Sequence, residues 1–130
     1  MEVIIILATI YIPNQEYTNL VPLDEALARG SSFENLFIPY KFIAAGSPKG
    51  KNPRQNLLAL INMYGFLITD LTLYKITHPN CTKTNETLKT AKMELEKLTK
   101  LYNENFSPLN CHSEGKEPFH KGPWPWEDRF

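Results

Sequence analysis

The chain has 130 residues, of which 42% are hydrophobic and 22% are charged, a composition typical of a folded globular protein. Fourteen basic residues balance fourteen acidic ones, which argues against a broad nucleic-acid-binding surface. The two cysteines allow at most one disulfide bond, too few for a disulfide-framed secreted scaffold.

The N-terminal zone, residues 1–43, contains three prolines and no sustained helical period, so it is predicted to be extended and rich in turns. Its apolar run Val3 to Ile12 is too short to span a bilayer, and we expect neither an export signal nor a membrane anchor. One short helical turn is predicted after Pro22, with acidic residues at its positive end and Gly30 as its left-handed stop.

Residues 44–54 are predicted to form a solvated linker, because they concentrate Gly, Pro, Ser and Lys and contain no large apolar residue. We place a domain boundary there. The chain then divides into an N-terminal segment (1–43), the linker (44–54) and a C-terminal domain (55–130).

A first long helix is predicted over about residues 56–77, where large apolar residues recur at steps of three and four. Four more large apolar residues lie on other faces, so this helix needs cover on more than one side, and we expect the N-terminal zone to pack across it. A remaining stripe of small residues fits either close approach of another backbone or a solvated face. In order, these three groups are Leu57, Leu60, Ile61, Tyr64, Leu67, Leu71 and Tyr74; Leu58, Met63, Phe66 and Leu73; and Ala59, Asn62, Gly65, Thr69 and Thr72.

A second helix is predicted over about residues 84–106, with one apolar stripe and a charged ladder at intervals of four. The stripe is Leu88, Ala91, Leu95, Leu98 and Tyr102, and the ladder is Lys92, Glu96, Lys100 and Glu104. The short connection between the helices predicts an antiparallel hairpin. The fold class is therefore mainly α, a two-helix hairpin flanked by an extended N-terminal segment and a tail.

The tail is predicted to be extended, because prolines alternate with Trp124 and Trp126 in residues 122–127, GPWPWE. Indole rings combine a large apolar area with a donor nitrogen, which makes them good interface anchors. Two alternatives stay open: the tail caps the core of the hairpin, or it docks on a partner.

No phosphate loop, nucleophile elbow or zinc-protease motif is found in the sequence. Four residues could supply soft or borderline metal ligands, but their spacing matches no recurring zinc pattern, and we expect no metal site. They are Cys81, Cys111, His112 and His120. Asp70 lies in a nearly apolar helix, so its carboxylate needs either a partner or an edge position; a lysine of the second helix or a tyrosine hydroxyl would serve as the partner. His78 precedes Pro79 and is expected to bond the last free carbonyls of the helix.

Two separated motifs resemble the CotJB family of spore coat proteins: residues 70–79, DLTLYKITHP, and residues 122–127, GPWPWE. Four shorter motifs in the N-terminal zone resemble the companion CotJA family: residues 11–15, YIPNQ; residues 26–30, ALARG; residues 33–36, FENL; and the pair Pro39 and Tyr40. These families usually occur as separate neighbouring chains, so a chain with both resembles a fusion.

The resemblance implies a non-enzymatic component of the inner spore coat, made in the mother-cell cytoplasm and assembled with a manganese-catalase-like coat protein of the CotJC type. Metal and redox chemistry would then belong to that partner, and no cofactor or catalytic residue is expected in this chain. The surplus apolar faces of the first helix and the two indoles predict which residues bind a partner protein. We expect the chain to bind neither nucleic acid nor a membrane. These residues are Phe66, Tyr74, Pro123, Trp124, Pro125 and Trp126.

Two rival hypotheses follow from other residues. The first is a self-assembling structural coat subunit, since the apolar segment Val3 to Leu7 favours edge pairing if it is exposed. The second is a small metal-binding enzyme that uses Asp70 and His78 together with the cysteine and histidine residues.

Overall fold

The computed structural model describes residue 17, residues 19–34 and residues 50–127. These contain three α-helices, α1 (Leu23–Arg29), α2 (Pro53–Thr77) and α3 (Thr82–Asn105). Two single-turn 3₁₀ helices follow, at Phe119–Lys121 and Pro125–Glu127. The described residues form no named strand, and one antiparallel bridge joins Leu20 to Phe33. The predicted mainly α fold is confirmed.

Helices α2 and α3 pack along their lengths as the predicted antiparallel hairpin. Helix α2 begins at Pro53, a few residues earlier than predicted, because Asn52 caps it: the Asn52 side chain accepts a hydrogen bond from Gln55 N at 2.9 Å. The Gln55 side chain accepts in return from Lys51 N at 2.8 Å. The last two residues of the predicted linker are thus helical. Residues 35–49 lie outside the described residues, so the division into domains stays a prediction.

Helix α1 confirms the short helical turn predicted in the N-terminal zone. Pro22 precedes its first turn, and the acidic Asp24 and Glu25 lie in that turn. Gly30 ends the helix at φ +85°, where its N–H donates to Ala26 O at 2.9 Å. A side chain other than glycine rarely adopts this left-handed conformation, so the stop depends on Gly30.

One core joins the N-terminal zone to the hairpin. Phe33 packs with residues of both long helices, and Tyr17, Leu20 and Leu23 border the same cluster. The Tyr17 hydroxyl is 3.1 Å from Thr87 Oγ1, which ties the zone to α3 as well. The buried members from the helices are Leu67, Leu71, Tyr74, Leu88 and Ala91. The predicted packing of the N-terminal zone across α2 is confirmed for the described residues.

The outer side of α2 is only partly covered. Leu58 and Met63 are buried, but Leu73 and Ile76 are exposed by 59% and 72%. Along the small-residue stripe Ala59 is buried, whereas Asn62, Thr69 and Thr72 are exposed. A Cβ added at Gly65 would meet no atom of the described residues within 4 Å. This stripe is therefore mostly a solvated face, and no described backbone approaches it closely.

Helix α2 is also long and apolar enough to cross a membrane, judged by length and composition alone. Core helices of globular proteins meet the same criterion. Leu67, Leu71 and Tyr74 of this helix lie in the core described above.

The tail differs from the extended strand that was predicted, because two single-turn helices fold it back on itself. Trp124 Nε1 donates to Phe119 O at 2.9 Å, and Trp124 N donates to the Glu127 carboxylate at 2.9 Å. These local hydrogen bonds and the stacking of the aromatic rings outweigh the preference of the prolines for the left-handed extended helix.

Candidate interaction surface

The tail is fixed to the open end of the hairpin, where α2 begins and α3 ends. Ser107 Oγ donates to Gly122 O at 2.9 Å, and Lys116 N donates to Asn103 O at 2.9 Å. The Asn103 side chain also accepts from Leu109 N at 3.2 Å. Ser107 itself is 6% exposed. The backbone of the tail thus docks on its own chain.

The indole rings do not enter the core of the hairpin. Trp124 and Trp126 stack on each other, with ring centroids 5.4 Å apart and planes inclined by 21°. Phe119 packs beside both rings, at 6.2 Å and 6.4 Å. Trp126 stays 67% exposed, whereas Trp124 is half-buried. Phe119, Trp124 and Trp126 thus form an aromatic cluster in the tail, in which Pro123 is exposed and Pro125 is half-buried.

The two helix residues predicted to bind a partner differ in accessibility. Phe66 is half-buried. Tyr74 is 6% exposed, with its ring 4.9 Å from that of Phe33 and 6.0 Å from that of Tyr17. A partner could reach Tyr74 only if the N-terminal zone moved away, so Tyr74 is a core residue in this structure.

Asp70 finds a partner that the sequence did not predict. Its Oδ2 accepts a hydrogen bond from the backbone N–H of Ser32 at 2.8 Å, not from a lysine or a tyrosine. Ser32 is fully buried, so its N–H depends on this carboxylate. Asp70 therefore clamps the N-terminal zone onto α2. The carboxylate has the partner that its apolar surroundings require, and that partner is a backbone amide instead of the suggested lysine or tyrosine.

His78 occupies the structural position expected at the end of α2. Its Nδ1 lies 2.8 Å from Thr77 Oγ1 and 3.3 Å from the Tyr74 carbonyl oxygen. Its ring stacks on that of Tyr74 at 4.1 Å, with planes inclined by 2°. These contacts close the end of the helix and explain why a histidine suits this position.

The four candidate metal ligands do not come together as a metal site among the described residues. Both cysteines are free thiols. Within residues 17, 19–34 and 50–127, no three His, Cys, Asp or Glu side chains are grouped so that they could hold a metal ion.

Cys81 nevertheless has a distinctive environment at the start of α3. The hydroxyl and backbone amide of Thr84 lower the pKa of the Cys81 thiol, because both favour the thiolate.

Sequence reasoning missed two further ties at the open end of the hairpin. Arg54 Nη1 donates to the buried Tyr102 hydroxyl at 3.0 Å, which links the start of α2 to the last turn of α3. The Asn52 cap is the second. Its signal is visible in the sequence as Asn-Pro followed by Gln55, a typical helix start.

Two protein-family models match this chain. The model of the CotJB protein family matches residues 55–127, more than half of the chain. The chain belongs to the CotJB family. This match takes in α2, α3 and the tail. A second model, spore coat associated protein JA (CotJA), matches residues 6–40, which include α1 and the Ser32 that Asp70 holds.

No curated protein and no solved structure matches the chain. The two family matches confirm the resemblance drawn from the motifs, and they indicate a spore-coat-associated protein located in the spore coat.

Proposed function

We propose that this chain is a non-enzymatic coat component that assembles with a manganese-catalase-like coat protein of the CotJC type. Its place would be the inner layers of the coat, after synthesis in the mother-cell cytoplasm. The CotJB and CotJA matches support a role in the coat. The aromatic cluster of the tail supports a role in binding another protein.

The observation that carries this proposal is the exposed ring of Trp126. Its exposure of 67% leaves a large apolar area in contact with water, and tryptophan is one of the residues enriched among binding hot spots. The ring is also held in place, because Trp124 stacks on it and the Trp124 indole is bonded to Phe119 O. A side chain that is already ordered loses little entropy on binding.

The shape of the tail supports the same role. Ser107 anchors the tail to the end of α3 through Gly122 O, directly before the segment Pro123 to Trp126. The cluster therefore has a fixed position relative to the hairpin. A partner would meet a preformed aromatic surface, and the N-terminal zone is already bound on α2 through Asp70 in the same chain.

The test is binding of a Trp126→Ala variant to the catalase-like coat protein from the same source. Loss of a hot-spot indole costs about 2 kcal/mol, so affinity should fall roughly thirtyfold. Met93→Ala is the matched control, since Met93 is a large apolar residue of α3 that is 51% exposed. Helical content, followed by circular dichroism, should be unchanged in both variants. Equal affinities for Trp126→Ala and the wild type would contradict the proposed role of the tail.

Trp124 is less suitable for this test, because its indole donates a hydrogen bond inside the tail and its loss would disturb the fold of the tail.

The metal content of the purified complex and of the chain alone tests the non-enzymatic role. We expect manganese to accompany the partner. A stoichiometric metal ion in the chain alone would favour the rival enzyme hypothesis.

A further inference from the structure

A groove of about 760 Å³ lies along one side of the hairpin. Ile68 of α2 and Leu95 and Thr99 of α3 line it, and all three are half-buried. Ile61 and Tyr64 precede Ile68 by seven and four residues, so they share its face of α2, and both are half-buried too. This side of the hairpin thus carries an apolar strip that is only partly covered, formed by Ile61, Tyr64, Ile68 and Leu95.

The charged ladder of α3 forms the rim of this groove. It consists of Lys92, Glu96, Lys100 and Glu104, all of them exposed. The residues recur every four positions and span about 18 Å at 1.5 Å per residue. None of the four has an ion-pair partner among the described residues; the ion pair found on α3 joins Lys97 to Glu94, at 3.1 Å.

The charges of this ladder alternate along α3 as positive, negative, positive and negative. Two antiparallel copies of the ladder therefore place opposite charges next to each other. If two copies of α3 lie antiparallel, Lys92 of one copy faces Glu104 of the other, and Glu96 faces Lys100. A two-fold axis repeats each of these pairs, so four opposite-sign pairs form. A parallel arrangement would place like charges opposite each other along the whole ladder, which is unfavourable.

We propose that a second copy of this chain packs antiparallel along this groove, α3 against α3, to form a symmetric dimer. The apolar strips of the two hairpins then cover each other as in a four-helix bundle, and the ladders flank the buried strip on the outside. In coiled coils and bundles, charges in such flanking positions determine partner choice and orientation. The interface uses other residues than the aromatic cluster of the tail, so it is independent of the proposed function.

A charge-swap series tests this dimer. In Lys100→Glu, two attractive pairs per dimer become repulsive, and dimerisation should weaken at least about tenfold. Glu96→Lys should have the same effect. The double variant Glu96→Lys/Lys100→Glu restores opposite signs at both pairs across the interface, so it should dimerise like the wild type. Sedimentation over a concentration series measures all four proteins.

The double variant also separates pairing between chains from charge effects within one helix. Along α3 itself, each single variant and the double variant keep one attractive neighbour pair and gain two repulsive ones among the four ladder positions. An effect within the helix therefore predicts no recovery in the double variant. Circular dichroism of all four proteins shows whether α3 stays helical.

A wild-type chain that sediments as a single copy at every concentration would overturn the proposal and leave the groove to a different protein. Single variants that dimerise as strongly as the wild type would overturn the proposal too. The same holds if the double variant dimerises as weakly as the single variants. Recovery in the double variant, with dimers that weaken as salt is added, is the result we expect.

Discussion

Replacing Asp70 by alanine should loosen the N-terminal zone from the hairpin. Ser32 N–H is fully buried and donates to Asp70 Oδ2 at 2.8 Å, so the substitution leaves a buried donor without its acceptor. Such a loss costs about 1–3 kcal/mol. With a urea dependence of roughly 2 kcal/mol per molar, the unfolding midpoint should fall by roughly 0.5–1.5 M.

Two control variants isolate this hydrogen bond. Asp70→Asn keeps an oxygen acceptor of similar size, and we expect it to lose less than half as much stability as Asp70→Ala. Thr69→Ala removes an adjacent, exposed side chain whose hydroxyl bonds Gly65 O within α2 at 3.0 Å. Its effect should stay within about 0.5 kcal/mol.

Urea unfolding followed by circular dichroism measures the helices, and amide hydrogen exchange at Ser32 reports directly on the clamp. If the N-terminal zone detaches before the hairpin unfolds, exchange at Ser32 will accelerate even where the helical transition changes little. Equal urea midpoints and equal exchange rates at Ser32 in Asp70→Ala and Thr69→Ala would contradict this role of the Asp70 carboxylate.

Two glycines and one thiol give the remaining predictions. Gly30→Ala should destabilise the chain by about 1 kcal/mol, because Gly30 has a φ of +85°. Gly65→Ala should stabilise it by about 0.5–1 kcal/mol, because an added Cβ in the middle of α2 meets no atom within 4 Å. Urea unfolding measures the free energy of unfolding of both variants, and equal effects would contradict these two backbone environments. In a Cys111→Ser background, Cys81 should react with iodoacetamide at a lower pH than an ordinary thiol, and Thr84→Val should slow it. Because the pKa of Cys81 is lower in the folded chain, the thiolate stabilises the fold above the unfolded-state pKa, and this contribution disappears as the pH falls through the folded-state value. An alkylation profile identical to that of the urea-unfolded chain would refute the assigned environment.

The long helices were predictable because their packing repeats along the sequence. Leu88, Ala91 and Tyr102 recur at helical spacing and are buried, as the stripe of α3 predicted. Gly30 likewise announced the end of α1, since few other residues accept its conformation. In both cases the deciding signal lies within one element of the chain.

Contacts between distant parts of the chain were harder to predict from the sequence. The partner of Asp70 is a backbone amide 38 residues away, and a backbone amide has no signature in the sequence. The turns of the tail depend on the Trp124 indole reaching Phe119 O, which the proline pattern of residues 122–127 does not encode. The partner-binding role of Trp124 and Trp126 therefore stays a prediction, and the conformation of the tail differs from the predicted one.

The order of the segments has a consequence for synthesis. Tyr17 and Phe33, which cover α2 in the shared core, precede that helix in the chain and leave the ribosome before it is complete. The apolar helix thus emerges next to a cover that is already tethered to it. In a cell that makes the two segments as separate chains, the same cover would arrive by diffusion and would depend on the concentration of the other product. Joining the two segments in one chain would therefore shorten the time during which the apolar surface of α2 is uncovered.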